Sequence, residues 1–223
     1  DRLAKKEPIQ YILGETTFCG LPFHVSRDVL IPRPETEQLV RLIVNDFSSC
    51  PSPRILDIGT GSGCIAISLA SLLPASCVTA LDISSSALRV AADNATLNHV
   101  SVSWTCVDIL SSEAESCLEQ YDCIVSNPPY IMEHEQLEMD ASVLGYEPHK
   151  ALFVPDTDPL LFYRRIVQLA KSHLMAGGWL YFEINEQCGD AMLELLNSAG
   201  FSQTTIIKDY FGKDRMLKAQ LVL

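Results

Sequence analysis

From residue 54 to the C-terminus, short apolar runs alternate with stretches of helical periodicity, and that alternation admits few folds. Arg54-Ile55-Leu56-Asp57-Ile58 reads as a buried strand; a Gly-rich turn follows, and residues 64–73 read as a helix. Further strands are expected at 77–81, 102–107 and 122–125, with a helix over 84–97 that has Ser84 as its N-cap. A helix over 159–175 precedes Gly177-Gly178 and a strand over 179–184; a helix over 187–199 and strands near 204–207 and 216–222 follow. Strands separated by helices pair in parallel, with helices on both faces. The last two strands, joined without a helix, are expected to pair antiparallel at one edge. Upstream, apolar stretches at 9–13, 23–25 and 29–31, broken by Gly14, Gly20 and Pro22, read as a β-hairpin or a pair of short strands.

Composition narrows the class. With 48% hydrophobic and 20% charged residues, 11 Gly and 12 Pro, the 223 residues suit a globular domain and exclude disorder, collagen and coiled coil. A formal net charge of −12 argues against a protein that wraps duplex DNA, because phosphate neutralisation needs a Lys/Arg surface. The charge is unevenly placed: no Lys or Arg occurs between Arg89 and Lys150, while acids run through that stretch from Asp93 to Glu147. The eight cysteines are scattered, with no CxxC pair and no His at metal spacing, so they read as small buried hydrophobes in a reducing compartment. The five histidines share no ligand spacing, and Trp104 and Trp179 lie in strand patterns as core residues. No apolar run approaches the roughly 20 residues of a membrane span. A cytoplasmic monomer without metal, membrane contact or direct nucleic-acid partner is the expectation.

The polar motifs all fall at strand ends, where open α/β sheets bind ligands. Asp57-Ile58-Gly59-Thr60-Gly61-Ser62-Gly63 is a Gly-rich turn; Cys64 stands where a dinucleotide fingerprint has its third Gly. Asp82 closes the second strand and can accept hydrogen bonds from both hydroxyls of a ribose. Asp108, with Ile109 after it, suits an exocyclic amine and the face of an adenine. Alone, each acid could be a cap or a surface charge; together they describe a nucleoside pocket. Ser126-Asn127-Pro128-Pro129-Tyr130 is the most specific motif. Its prolines fix φ and remove two backbone donors, leaving outward carbonyls; Asn127 adds a side-chain acceptor and Tyr130 an aromatic face. Such a site can hold a planar NH₂ group.

The Gly-rich turn, Asp82 and Asn127-Pro128-Pro129-Tyr130 resemble class I S-adenosylmethionine-dependent methyltransferases that modify planar amino groups. The segments Pro8-Ile9-Gln10-Tyr11-Ile12-Leu13-Gly14-Glu15 and Val29-Leu30-Ile31-Pro32-Arg33-Pro34-Glu35-Thr36-Glu37 resemble the HemK or PrmC type, the release-factor glutamine methyltransferases. The resemblance implies a Rossmann-like α/β fold with a mostly parallel seven-stranded sheet and an antiparallel C-terminal edge, preceded by a β-hairpin. It divides the chain into 1–31, a hairpin and linker left from a junction to a missing helical N-terminal domain, and 32–223, the catalytic domain. It assigns Asp57, Gly59, Thr60, Gly61, Ser62, Gly63, Asp82, Asp108, Ile109 and Asn127 to S-adenosylmethionine. Asn127, Pro128, Pro129, Tyr130 and Arg33 go to the substrate, with Asn127, Pro128 and Tyr130 catalytic; Thr36 and Glu37 also border the site. The implied substrate is the glutamine of the Gly-Gly-Gln motif in class I peptide release factors. The acidic stretch is then expected to attract a basic release-factor loop and repel RNA. Alternatives are an adenine-N(6) DNA or RNA methyltransferase, a ribosomal-protein glutamine methyltransferase, or a non-catalytic nucleotide-binding domain. The first needs a cationic groove that the stretch from 90 to 149 does not supply.

Overall fold

The computed structural model describes residues 1–222. In chain order the elements are α1 (Ile9–Leu13), β1 (Glu15–Phe18), β2 (Leu21–His24), α2 (Pro34–Phe47), β3 (Arg54–Ile58), α3 (Cys64–Leu72), β4 (Cys77–Asp82), α4 (Ser85–Leu97), β5 (Ser103–Cys106), α5 (Glu113–Ser116), β6 (Tyr121–Ser126), β7 (Ile131–Met132), α6 (Ala141–Tyr146), β8 (Phe153–Val154), α7 (Leu161–His173), β9 (Leu174–Glu183), α8 (Gly189–Ser198), β10 (Phe201–Lys208) and β11 (Asp214–Leu221). Seven strands form one sheet in the order β5-β4-β3-β6-β9-β11-β10. It is parallel from β5 to β9; β11 runs antiparallel to both β9 and β10. The α/β fold with its antiparallel C-terminal edge is therefore as expected, with the final strand inserted inside the edge.

The sheet separates two apolar layers. Along β6, Tyr121 and Ile124 pack on the side of α7 and α8, while Cys123 and Val125 pack with α2 and α3. Helix α2 begins at Pro34, where proline has the right φ and needs no donor, with Glu35 and Glu37 in its first turn. Its buried residues Thr36, Leu39, Val40, Ile43 and Phe47 recur at helical spacing and face the sheet. Ser84 caps α4 by accepting from the Ala87 amide at 3.2 Å, as the sequence suggested.

Three local readings are corrected. Residues 9–13 form a helix, not a strand: Pro8 sets its start, Gly14 at φ +79° ends it, and only Tyr11 is buried. The hairpin lies just beyond it, with Glu15 opposite His24 and Phe18 opposite Leu21. Strand β9 begins at Leu174, so Gly177-Gly178 lies within it; an added Cβ at Gly178 would stand 2.9 Å from the Met175 carbonyl oxygen, so the glycine serves a close approach of backbones. Finally, Cys77, Cys106 and Cys117 are exposed rather than buried, and all eight cysteines are free thiols.

The hairpin is tied to the sheet. Phe18 and Phe23 are fully buried in the same layer as Ile55 and Val125. Asn94 of α4, also fully buried, accepts from the His24 amide at 2.6 Å and donates to the carbonyls of His24 (3.0 Å) and Ser62 (2.9 Å), joining hairpin to Gly-rich turn. Among the described residues no helix is long and apolar enough to cross a membrane.

Candidate active site

Sheet register brings the motifs into one row. Ile58 lies opposite Leu81 and Ser126, and Ser126 lies opposite Phe182. The next residues on these strands are Gly59, Asp82, Asn127 and Glu183, at the C-terminal edge where strand order reverses between β3 and β6.

The Gly-rich turn is locked from below. Asp57 is fully buried; its Oδ2 accepts from the Thr60 hydroxyl at 2.6 Å and the Ala66 amide at 3.2 Å, while Oδ1 has no partner. Burial pushes its carboxyl up to about 7. Asp57, Thr60 and Ser62 thus lie under the turn as its frame. Gly59 and Gly61 face outward at φ +76° and +54°, with nothing within 4 Å of where a Cβ would stand. Gly63, at φ +82°, has the opposite reason to be glycine: its Cβ would lie 2.8 Å from Ile67 Cδ1. Asp82 accepts from the Gly61 amide and the Ser84 amide, each at 2.8 Å. Each oxygen keeps a further lone pair for a ligand hydroxyl. Ile109 is half-buried; its carbonyl is held by Arg165 Nε at 3.0 Å, and Asp108 accepts from the Leu110 amide at 2.9 Å. Open backbone, a hydroxyl-binding carboxylate and an apolar wall together fit the nucleoside of S-adenosylmethionine.

Across the row, Asn127, Pro128 and Tyr130 line a cavity of about 220 Å³ with Leu30, Arg33 and Glu183. Glu183 was not singled out by sequence, yet it organises the site. It is 2% exposed, accepts from the Thr36 hydroxyl at 2.6 Å and from the Tyr130 hydroxyl at 3.1 Å, and burial raises its carboxyl above the usual range. Because a carboxylate can only accept, the Thr36 proton must point at Glu183, and Thr36 Oγ1 then accepts from Asn127 Nδ2 at 3.3 Å. The Asn127 amide is thereby oriented: its nitrogen faces the protein and its Oδ1 the cavity. Neither that oxygen nor the Pro128 carbonyl accepts a hydrogen bond among the described residues. A signal for Glu183 did exist, since it closes an apolar strand as Asp82 does.

Arg33 lies in the cavity wall, bonded to the buried Glu147 at 2.5 Å; Glu147 also accepts from the Ile31 amide at 3.2 Å. This pair fastens the segment before α2 to the end of α6. Other acids of the Arg-free stretch are likewise paired: Glu115 with Arg165 and Glu119 with Arg54. Glu37, expected at the border of the site, instead accepts from the Cys19 amide of the hairpin at 3.0 Å. Among the described residues no cluster of His, Cys, Asp or Glu is placed to hold a metal ion.

Comparison with known proteins agrees with this fold. A family model described as a methyltransferase small domain matches residues 35–144. Among solved structures, a methyltransferase from Pyrococcus furiosus superposes with a TM-score of 0.67 at 18% identity, covering 100% of both chains. The hMettl16 catalytic domain, solved with an RNA hairpin, gives 0.67 at 17% identity over 99% of this chain and 91% of its own. These likenesses establish the fold, that of the class I methyltransferases. Closer relatives narrow the class. Release factor glutamine methyltransferases from Flavobacterium psychrophilum and Bacteroides thetaiotaomicron are 52% and 51% identical, over 97% and 98% of this chain and 76% and 77% of theirs. One from Lactococcus lactis is 43% identical over 98% of this chain and 79% of its own. The chain belongs to the release factor glutamine methyltransferase family.

Proposed function

We propose that this chain methylates the side-chain amide nitrogen of the glutamine in the Gly-Gly-Gln motif of class I peptide release factors. S-adenosylmethionine, held by Gly59, Gly61, Asp82 and Ile109, supplies when bound an electrophilic methyl group on a sulfonium. The difficulty is the nucleophile, because an amide lone pair is delocalised into its carbonyl. Asn127 Oδ1 and the Pro128 carbonyl accept the two N–H groups and turn the nitrogen toward the methyl carbon, while Tyr130 stacks on the flat amide. Orientation of this kind is worth roughly 7–11 kcal/mol in well-aligned systems. The same acceptors favour the positive charge that grows on nitrogen as the N–C bond forms and the S–C bond breaks. The surplus proton then leaves to water, so no strong base is required.

The observation that carries this reading is the fixed direction of the Asn127 amide, which aims an acceptor at the substrate. Family membership favours glutamine over adenine, which the same motif could also cradle. The test is to incubate the enzyme with methyl-labelled cofactor and a release factor, beside a Gln→Ala variant of that factor's Gly-Gly-Gln motif. Label is expected on the first protein alone; equal labelling of both overturns the assignment.

A further inference from the structure

The amide cavity does not end at Tyr130. Tyr130, Ile131 and Met139 also wall a second recess of about 190 Å³, completed by Glu135, Glu138, Glu186 and Arg215. Three carboxylates thus face one guanidinium, and that guanidinium is already held by Asp209 at 3.4 Å and by the Ile184 carbonyl at 3.2 Å. Glu186 pairs with Lys213 at 3.0 Å and Glu135 accepts from the Met132 amide at 2.7 Å, whereas exposed Glu138 has no ion-pair partner among the described residues. Exposed apolar side chains lie on the segments that carry Glu138 and Lys213, the latter paired with Glu186 of the recess. Leu137 is 93% exposed, and Tyr210 and Phe211, in the β10–β11 turn that carries Lys213, are 81% and 77% exposed. That turn is built rather than loose: nearly buried Asp209 accepts from the Phe211 amide at 2.9 Å and the Lys213 amide at 3.0 Å. Large apolar residues held outward at such exposure are characteristic of binding surfaces.

Resting on the functional reading above, we infer that the substrate polypeptide beside the target glutamine docks here. A cationic side chain of the substrate enters the acidic recess, and apolar side chains pack on Leu137, Tyr210 and Phe211. Two observations select this occupant. The recess shares a wall with the amide cavity, so it is within reach of chain flanking the glutamine, and its excess negative charge suits a basic peptide and repels a nucleic-acid backbone.

The test measures kcat and KM for a purified class I release factor with the full chain, a Tyr210→Ser/Phe211→Ser double variant and Glu138→Lys. Melting temperature and calorimetric binding of S-adenosylhomocysteine are followed in parallel. KM is expected to rise about tenfold in the double variant, the effect of losing an aromatic anchor, with kcat, melting temperature and S-adenosylhomocysteine affinity close to wild type. In Glu138→Lys, KM should rise severalfold and depend less on salt between about 50 and 200 mM. Wild-type KM in both variants overturns the docking surface while leaving methyl transfer to the release factor in place. A wild-type enzyme that transfers no methyl group to the release factor overturns the functional reading and this surface with it.

Discussion

Glu183→Gln changes one oxygen to NH₂ in a buried site and tests how the acceptor at Asn127 is aimed. In the native protein Glu183 accepts hydrogen bonds from the hydroxyls of Thr36 (2.6 Å) and Tyr130 (3.1 Å). The amide can accept from only one of them. If its NH₂ faces Thr36, the hydroxyl must accept there and donate to Asn127, which turns the Asn127 amide over and presents NH₂ to the substrate. If it faces Tyr130, that hydroxyl is displaced instead. Either way one charge-assisted hydrogen bond, worth about 1.5–3 kcal/mol, is lost from the positioning network. At about 1.4 kcal/mol per tenfold, kcat should fall roughly 10- to 100-fold with little change in KM. Stability should move the other way. Burial raises the Glu183 carboxyl, so its ionised form costs stability above the raised value, and a neutral amide removes that cost. Protonating wild-type Glu183 reverses the same bond, so kcat should show an acid limb above the usual Glu range that the variant lacks. The assays are labelled methyl transfer to a release factor across pH and a thermal melt. A kcat within about twofold of wild type, or a loss that accompanies a lowered melting temperature, refutes the reasoning.

Asn127→Ala should abolish turnover by orders of magnitude while circular dichroism and melting temperature stay near wild type; near-normal kcat would sink the positioning mechanism. Asp57 carries a carboxyl raised to about 7, so its folded form binds a proton more tightly than the unfolded chain. Its contribution to stability therefore declines as pH rises from about 4 to above 7, by about 4 kcal/mol when fully ionised. Asp57→Asn should flatten that slope in urea-melt series while keeping the Thr60 and Ala66 bonds on one oxygen. Gly63→Ala meets Ile67 Cδ1 at 2.8 Å and should destabilise by roughly 1–3 kcal/mol, read by denaturant unfolding. Gly61→Ala meets nothing within 4 Å, so beyond the strain of its positive φ its main effect should be weaker S-adenosylhomocysteine binding, read by calorimetry.

Periodicity and punctuation are local properties, so the sequence by itself determined the order of strands and helices from residue 54, the antiparallel pairing of the last two strands, and the strand ends where the motifs lie. The four residues of Asn127-Pro128-Pro129-Tyr130 showed what kind of group could be held, because proline removes donors wherever it stands. Short pieces were less legible. A five-residue apolar run such as 9–13 satisfies helix and strand patterns alike; in the fold it is a helix between Pro8 and Gly14 that buries only Tyr11. Residues 127–160 hold only brief elements pinned by side chains distant in sequence, as Glu147 pins Arg33 across 114 positions. Only the tertiary structure decided that Asp57 frames the Gly-rich turn from beneath, that Glu37 serves the hairpin, and that Glu183 sets the direction of the Asn127 amide. The direction of that amide depends on a chain of hydrogen bonds donated from the end of β6 through α2 to β9, and no local window of sequence contains all three.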